Sequence, residues 1–168
     1  MRHVLLAAAG ALLASGLPVS AQAVTMTRVT QIPAAVACQL SVPTIDTAVR
    51  AKATGFRNEG KASAYAICGL QDPVKGAVSD VGINFYALDG KPHTFDCTAF
   101  NGSPDADSYL YATKSITASS PTFRSSLHFV PADFGGTTYM PNEGFITVTC
   151  SLPPQVSVGY LYMSYDED

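Results

Sequence analysis

The sequence predicts an all-β fold: an antiparallel two-sheet β-sandwich, jelly-roll-like, with two disulfides. Three observations predict it. Short segments alternate apolar and polar residues with a period of two. Gly, Pro, Asn and Asp punctuate them at short intervals. Beyond the N-terminus, no window has the apolar spacing of a helix, and seven to nine short strands at such spacing make a sandwich or jelly roll.

The chain of 168 residues opens on MRHVLLAAAGALLASGLPVSAQA. Arg2 and His3 are a basic start, residues 4–17 are apolar, and Ala21-Gln22-Ala23 has the small-x-small form of a cleavage site. These parts predict a signal peptide over residues 1–23 and one mature domain over 24–168, exported to the periplasm or secreted. The apolar stretch is shorter than the roughly 20 residues of a membrane span, and Gly10, Gly16 and Pro18 interrupt it. The first cysteine, Cys38, lies too far from it for a lipid attachment. No later segment is long and apolar enough to cross a bilayer.

Residues 37–42 read as a strand ended by Pro43, and residues 55–60, GFRNEG, as a turn or loop. Residues 61–70 put Ala62, Ala64, Ala66 and Cys68 on one face and Tyr65 and Ile67 on the other, a small-residue face suited to close packing. Residues 80–88 follow, with Val81, Ile83, Phe85 and Ala87 in register. Asp89-Gly90 then predicts a tight hairpin into a return strand over 93–100. A polar loop, 101–107, leads to a strand over 108–118, and another covers 123–130. Residues 131–144 are rich in turn formers and read as a long loop. Residues 145–152, FITVTCSL, read as a central strand stopped by Pro153 and Pro154, which cannot donate to a ladder. The last strand spans 157–165, and Asp166, Glu167 and Asp168 read as a solvated acidic tail.

Cys38, Cys68, Cys97 and Cys150 all follow the leader. An even count in an exported chain implies two disulfides, with three possible pairings. Cys38–Cys68 and Cys97–Cys150 are favoured because each pair joins candidate strands. Sulfurs so used are absent from catalysis, and their wide spacing does not suit zinc.

The formal net charge is −3, with no basic run, which argues against nucleic acid and anionic lipid as partners. His93 and Asp96 sit three apart on a strand, so they face opposite ways, and no G-x-S-x-G occurs. A secreted hydrolase would have to assemble Asp96, Glu143, His93 or His128 in space. Asn101, Asp105 and Asp107 place oxygens at every second position, as a calcium loop does, without the glutamate and glycine of an EF-hand. The same residues serve turns. Tyr109 with Tyr111, and Tyr160 with Tyr162, each share a strand face and together suggest a tyrosine stripe for a glycan or protein partner, or a cover for the sheet.

One pattern spans nearly the whole mature chain: Cys38, Asn58 in a turn, Cys68-Gly69-Leu70, Cys97 on a hairpin, and Cys150-Ser151-Leu152-Pro153-Pro154. It resembles a group of small, uncharacterised secreted bacterial four-cysteine β-sandwich proteins. Those often carry Cys-Pro-Leu where this chain has Cys-Gly-Leu. The resemblance implies a disulfide-stapled β domain outside the cytoplasm and no activity or catalytic residue. The reading is thus a non-enzymatic binding or structural module that needs no cofactor, with an extracytoplasmic protein or glycan as partner. The alternatives are a secreted hydrolase with an acidic or Ser/His site, and an inhibitor of a foreign hydrolase.

Overall fold

A computed structural model describes residues 25–42, 48–71, 77–102, 109–141 and 145–167. The alternating segments form strands β1 (Met26–Pro33), β2 (Cys38–Leu40), β3 (Val49–Lys52), β4 (Gly55–Asn58), β5 (Ala64–Gln71) and β6 (Ala77–Ala87). They continue with β7 (His93–Gly102), β8 (Tyr109–Ala118), β9 (Ser125–Phe129), β10 (Phe145–Leu152) and β11 (Val156–Glu167). The helical content among the described residues is two single turns, Ala34–Ala37 and a 3₁₀ turn at Pro131–Phe134.

The strands form two antiparallel sheets. The six-stranded sheet runs β3-β4-β11-β6-β9, with β1 also paired to β11. The five-stranded sheet runs β2-β5-β10-β7-β8, so the β-branched β10 is central. Val81, Ile83 and Phe85 face Phe95, Cys97 and Ala99 across the core, and the Phe85 and Phe95 rings meet edge-on at 4.9 Å. The fold is therefore an all-β sandwich held by two disulfides. Cys38 is bonded to Cys68 and Cys97 to Cys150. Each pair is directly opposed on neighbouring strands of the five-stranded sheet, with Cα atoms 4.0 and 4.1 Å apart. All four sulfur-bearing side chains turn into the core.

The structure corrects four local expectations. Asp89-Gly90 does not close a hairpin. β6 lies in one sheet and β7 in the other, so this turn carries the chain across the sandwich. Both edges of β6 are already taken, by β11 and β9, and the Asp89 carboxylate organises the crossing by accepting from the Lys91 N–H and contacting His93. The hairpin partner of β7 is β8, through residues 103–108, which lie outside the described residues. The expected loop at 55–60 contains β4, which forms a hairpin with β3; Phe56 is its buried hydrophobic side chain. The first strand, β1, was not expected: six of its eight residues are exposed along β11, and its apolar and polar residues do not alternate. Finally, Asp166 and Glu167 are not a tail, and Asp168 lies outside the described residues. The first two belong to β11, where Thr27 donates to Asp166 at 2.7 Å and Arg28 pairs with Glu167 at 3.1 Å.

Candidate functional site

Residues opposed in an antiparallel ladder share a face. On β7, Phe95, Cys97 and Ala99 point into the core, so Thr94, Asp96, Thr98 and Phe100 point out. Their cross-strand partners on β8 are Thr117, Ser115, Thr113 and Tyr111. Thr94 and Thr117 hydroxyls bond at 2.7 Å, Thr98 and Thr113 at 2.8 Å, and Ser115 donates to Asp96. The outer face of the five-stranded sheet is thus a hydroxyl ladder that ends in aromatics.

At that end two rows lie side by side. One holds Phe145, Gly102 and Tyr109; the next holds Thr147, Phe100 and Tyr111. Tyr109 and Tyr111 are 53% and 62% exposed and Phe145 is 51% exposed, while Phe100 is half-buried between them. Phe100 lies 5.4 Å from the Tyr111 ring and 6.0 Å from that of Tyr109, and the two tyrosines are 5.6 Å apart. Gly102, at φ 149°, puts no side chain between Phe145 and Tyr109. A Cβ at Gly69, beside Thr147, would meet nothing within 4 Å. The result is an open aromatic platform bordered by hydroxyls. Sequence reasoning found Tyr109 and Tyr111 but missed Phe100 and Phe145, because only strand register brings them together.

Tyr160 and Tyr162 do not extend this platform. They sit on β11, on the outer face of the opposite sheet, so the single stripe of four tyrosines does not form. Their rings are 6.5 Å apart. Tyr162 lies over Gly82, where a Cβ would come within 2.1 Å of the ring. Its phenol oxygen is 3.0 Å from both ring nitrogens of His128, whose Nδ1 is also 3.1 Å from Asp80. Burial, and then the Asp80 charge, push the Tyr162 phenol above its ordinary range, so it stays protonated at neutral pH.

The other candidates are dispersed. His93 contacts Asp89 at 2.9 Å, holding that carboxyl below its usual range. Asp96 lies on the outer face of the five-stranded sheet, bonded to Ser115, and His128 on the outer face of the other. Glu143, Asp105 and Asp107 lie outside the described residues. Asn101 belongs to the end of β7, opposite Ile146 and Leu110, and is fully buried. The described residues contain no group of three His, Cys, Asp or Glu side chains placed to hold a metal ion. They also contain no helix long and apolar enough to cross a membrane.

No family model matches the sequence, and comparison with curated proteins finds no match. Among solved structures, a family 35 carbohydrate-binding module of Abf62 from Cellvibrio japonicus is similar at TM-score 0.46 and 9% identity, covering 81% of this chain and 92% of that one. TmCBM61, solved with β-1,4-galactotriose, gives TM-score 0.36 and 11% identity over 83% of this chain and 84% of that one. The Podospora anserina GH26-CBM35 β-(1,4)-mannanase gives 0.40 and 10%, covering 83% of this chain and 28% of that one. Identities this low transfer no ligand and no residue.

Proposed function

We propose that this chain is a non-enzymatic binding module, exported by its leader, that holds a glycan against the outer face of its five-stranded sheet. The same reading groups it with the small secreted four-cysteine bacterial proteins it resembles. The observation that carries it is the platform of Phe100, Tyr109, Tyr111 and Phe145 around Gly102. Three of these residues are more than half exposed, on a face that also presents the hydroxyls of Thr98 and Thr113. The C–H face of a sugar ring packs on an aromatic ring through apolar burial and dispersion, and the flanking Thr and Ser hydroxyls offer donors and acceptors to its rim. Covering roughly 200 Å² of apolar surface contributes about 5 kcal/mol before the cost of association.

The test is a glycan array and calorimetry on the mature domain, with Tyr109→Ala and Tyr111→Ala beside the parent chain. Binding is expected, and each variant should weaken it about tenfold, equivalent to 1.4 kcal/mol. Glycan binding that survives both substitutions would remove the platform from the argument. Self-association or capture of a protein through the same residues, without glycan binding, would replace the glycan by a protein partner.

A further inference from the structure

We propose a second, separate binding site on the opposite sheet, built to take a sugar that carries a carboxylate. It lies where β11 changes partner. β4 pairs with Val156–Val158, and β1 takes over from Tyr160. Between the ladder pairs Val158–Phe85 and Leu161–Ile83, Gly159 and Tyr160 oppose the single residue Asn84. That is a β-bulge, a device that bends a strand and re-aims its side chains. At the break in the sheet opens a cleft of about 670 Å³, a volume typical of small-ligand sites.

Two glycines shape it. Gly55 has φ 127°, and a Cβ there would lie 2.2 Å from the Val158 carbonyl oxygen, so only glycine lets the β3–β4 turn close against the bulge. A Cβ on Gly159 would lie 2.5 Å from the Tyr86 ring, which therefore rests on the bulge backbone. Tyr86 and Tyr160 supply aromatic wall, and Gln31, Thr54 and Ser157 supply polar groups.

Arg57 decides the ligand's charge. Among the described residues it is the one charged residue of the lining, and its ion-pair partner Glu59 lies outside that lining. Glu59 is shared and held more closely by Lys52, which donates to both carboxylate oxygens, at 2.6 and 2.7 Å, and keeps that carboxyl below its usual range. Arg57 reaches Glu59 at 3.6 Å, and its buried Nε–H has no acceptor among the described residues. Arg50, directly opposite on β3, adds to the positive field. A guanidinium has five donors and pairs best with a carboxylate. Two aromatic rings, hydroxyl and amide groups and an arginine whose one ion-pair partner among the described residues is shared with Lys52 together describe a site for a uronic-acid unit.

The test is a titration of the ¹⁵N-labelled mature domain with D-glucuronate, D-glucose and acetate, followed by NMR. Glucuronate should move the Arg57 Nε–H signal and the amides of residues 157–160 saturably, with glucose and acetate each at least tenfold weaker. Tyr160→Ala should weaken glucuronate about tenfold. Arg57→Gln should abolish the preference for glucuronate over glucose. Arg57→Lys, which keeps the charge beside Glu59 if Gln perturbs folding, should retain part of it. Tyr111→Ala should change nothing, so this site stands or falls apart from the platform. Absence of saturable shifts with glucuronate, equal binding of glucose, or shifts centred on Tyr109 and Tyr111 would each overturn the proposal.

Discussion

Asn58 is the residue on which the two sheets are tied together. It is fully buried in β4. Its Nδ2 donates to the carbonyls of Ala62 and Leu152, each at 2.9 Å, and its Oδ1 accepts from the Gly60 N–H at 2.9 Å. Leu152 ends β10 in the other sheet, so one amide satisfies backbone groups from both layers. Its own carbonyl accepts from Gln155, a residue held at φ 62° in the crossing turn after Pro153-Pro154. Each such bond contributes about 1 kcal/mol net, and buried groups left unpaired cost more. Asn58→Ala is therefore expected to destabilise the domain by about 3 kcal/mol. Asn58→Asp should do no better at neutral pH, since it loses both donated bonds and buries a charge. Urea unfolding midpoints of the three proteins check this; a shift within error for Asn58→Ala would deny the amide its role. In the sequence Asn58 shows only as an asparagine in a glycine-flanked turn, because its partners lie in distant segments.

At the scale of the element, β11 explains why the ends of the described chain are ordered together. β1 runs along it from Met26–Glu167 to Pro33–Tyr160. Thr27 and Tyr139 both donate to Asp166, at 2.7 and 2.9 Å, and the Thr27 bond, followed by the Tyr139 bond, holds its carboxyl below the usual aspartate range. A carboxyl lowered in the folded state stabilises it above the ordinary aspartate pKa of about 3.9, and that contribution fades as pH falls through the lower folded value. Thr27→Val should thus lower the urea midpoint at pH 7, and the difference from the parent should shrink below about pH 3. A gap that is constant with pH would assign the loss to packing and not to the charge. The strands themselves were legible where one face is apolar, as in β5, β7, β8 and β10. β1 and β3 were not, since their residues are mostly exposed and carry no alternation to read. Asp89-Gly90 was legible as a turn but not as a crossing, because turn chemistry specifies a reversal of direction and leaves the partner strand open.

For the molecule as a whole, the chain changes sheets at nearly every step. Among the described strands, only β3–β4 and β7–β8 pair with their immediate successors. Neighbours in each sheet therefore come from distant sequence, and closing those loops before any contact forms is a large entropic demand. The disulfides reduce it on one side. Closing separations of 30 and 53 residues contributes about 3.6 and 4.2 kcal/mol in the chain-entropy model. Against a typical domain stability of about 5–15 kcal/mol, the double variant Cys97→Ala/Cys150→Ala should unfold at markedly lower urea, and Cys38→Ala/Cys68→Ala slightly less so. With no free cysteine among the described residues, a thiol reagent should label none of the four in the native, unreduced domain. Two or more labels per chain would contradict the pairing.

The amino-acid order was enough to establish the fold class and the inward and outward faces of most strands, because alternation is a local property written every second residue. Which strands lie side by side was settled only by packing, since sheet order depends on burying both inner faces at once. The candidate site follows that division. Tyr109 and Tyr111 could be picked out along one strand, whereas Phe100, Phe145 and the bare floor at Gly102 join them only through register across three strands. Tyr160 and Tyr162, equally plausible along the chain, were sent to the opposite face by the sheet in which β11 found its partners.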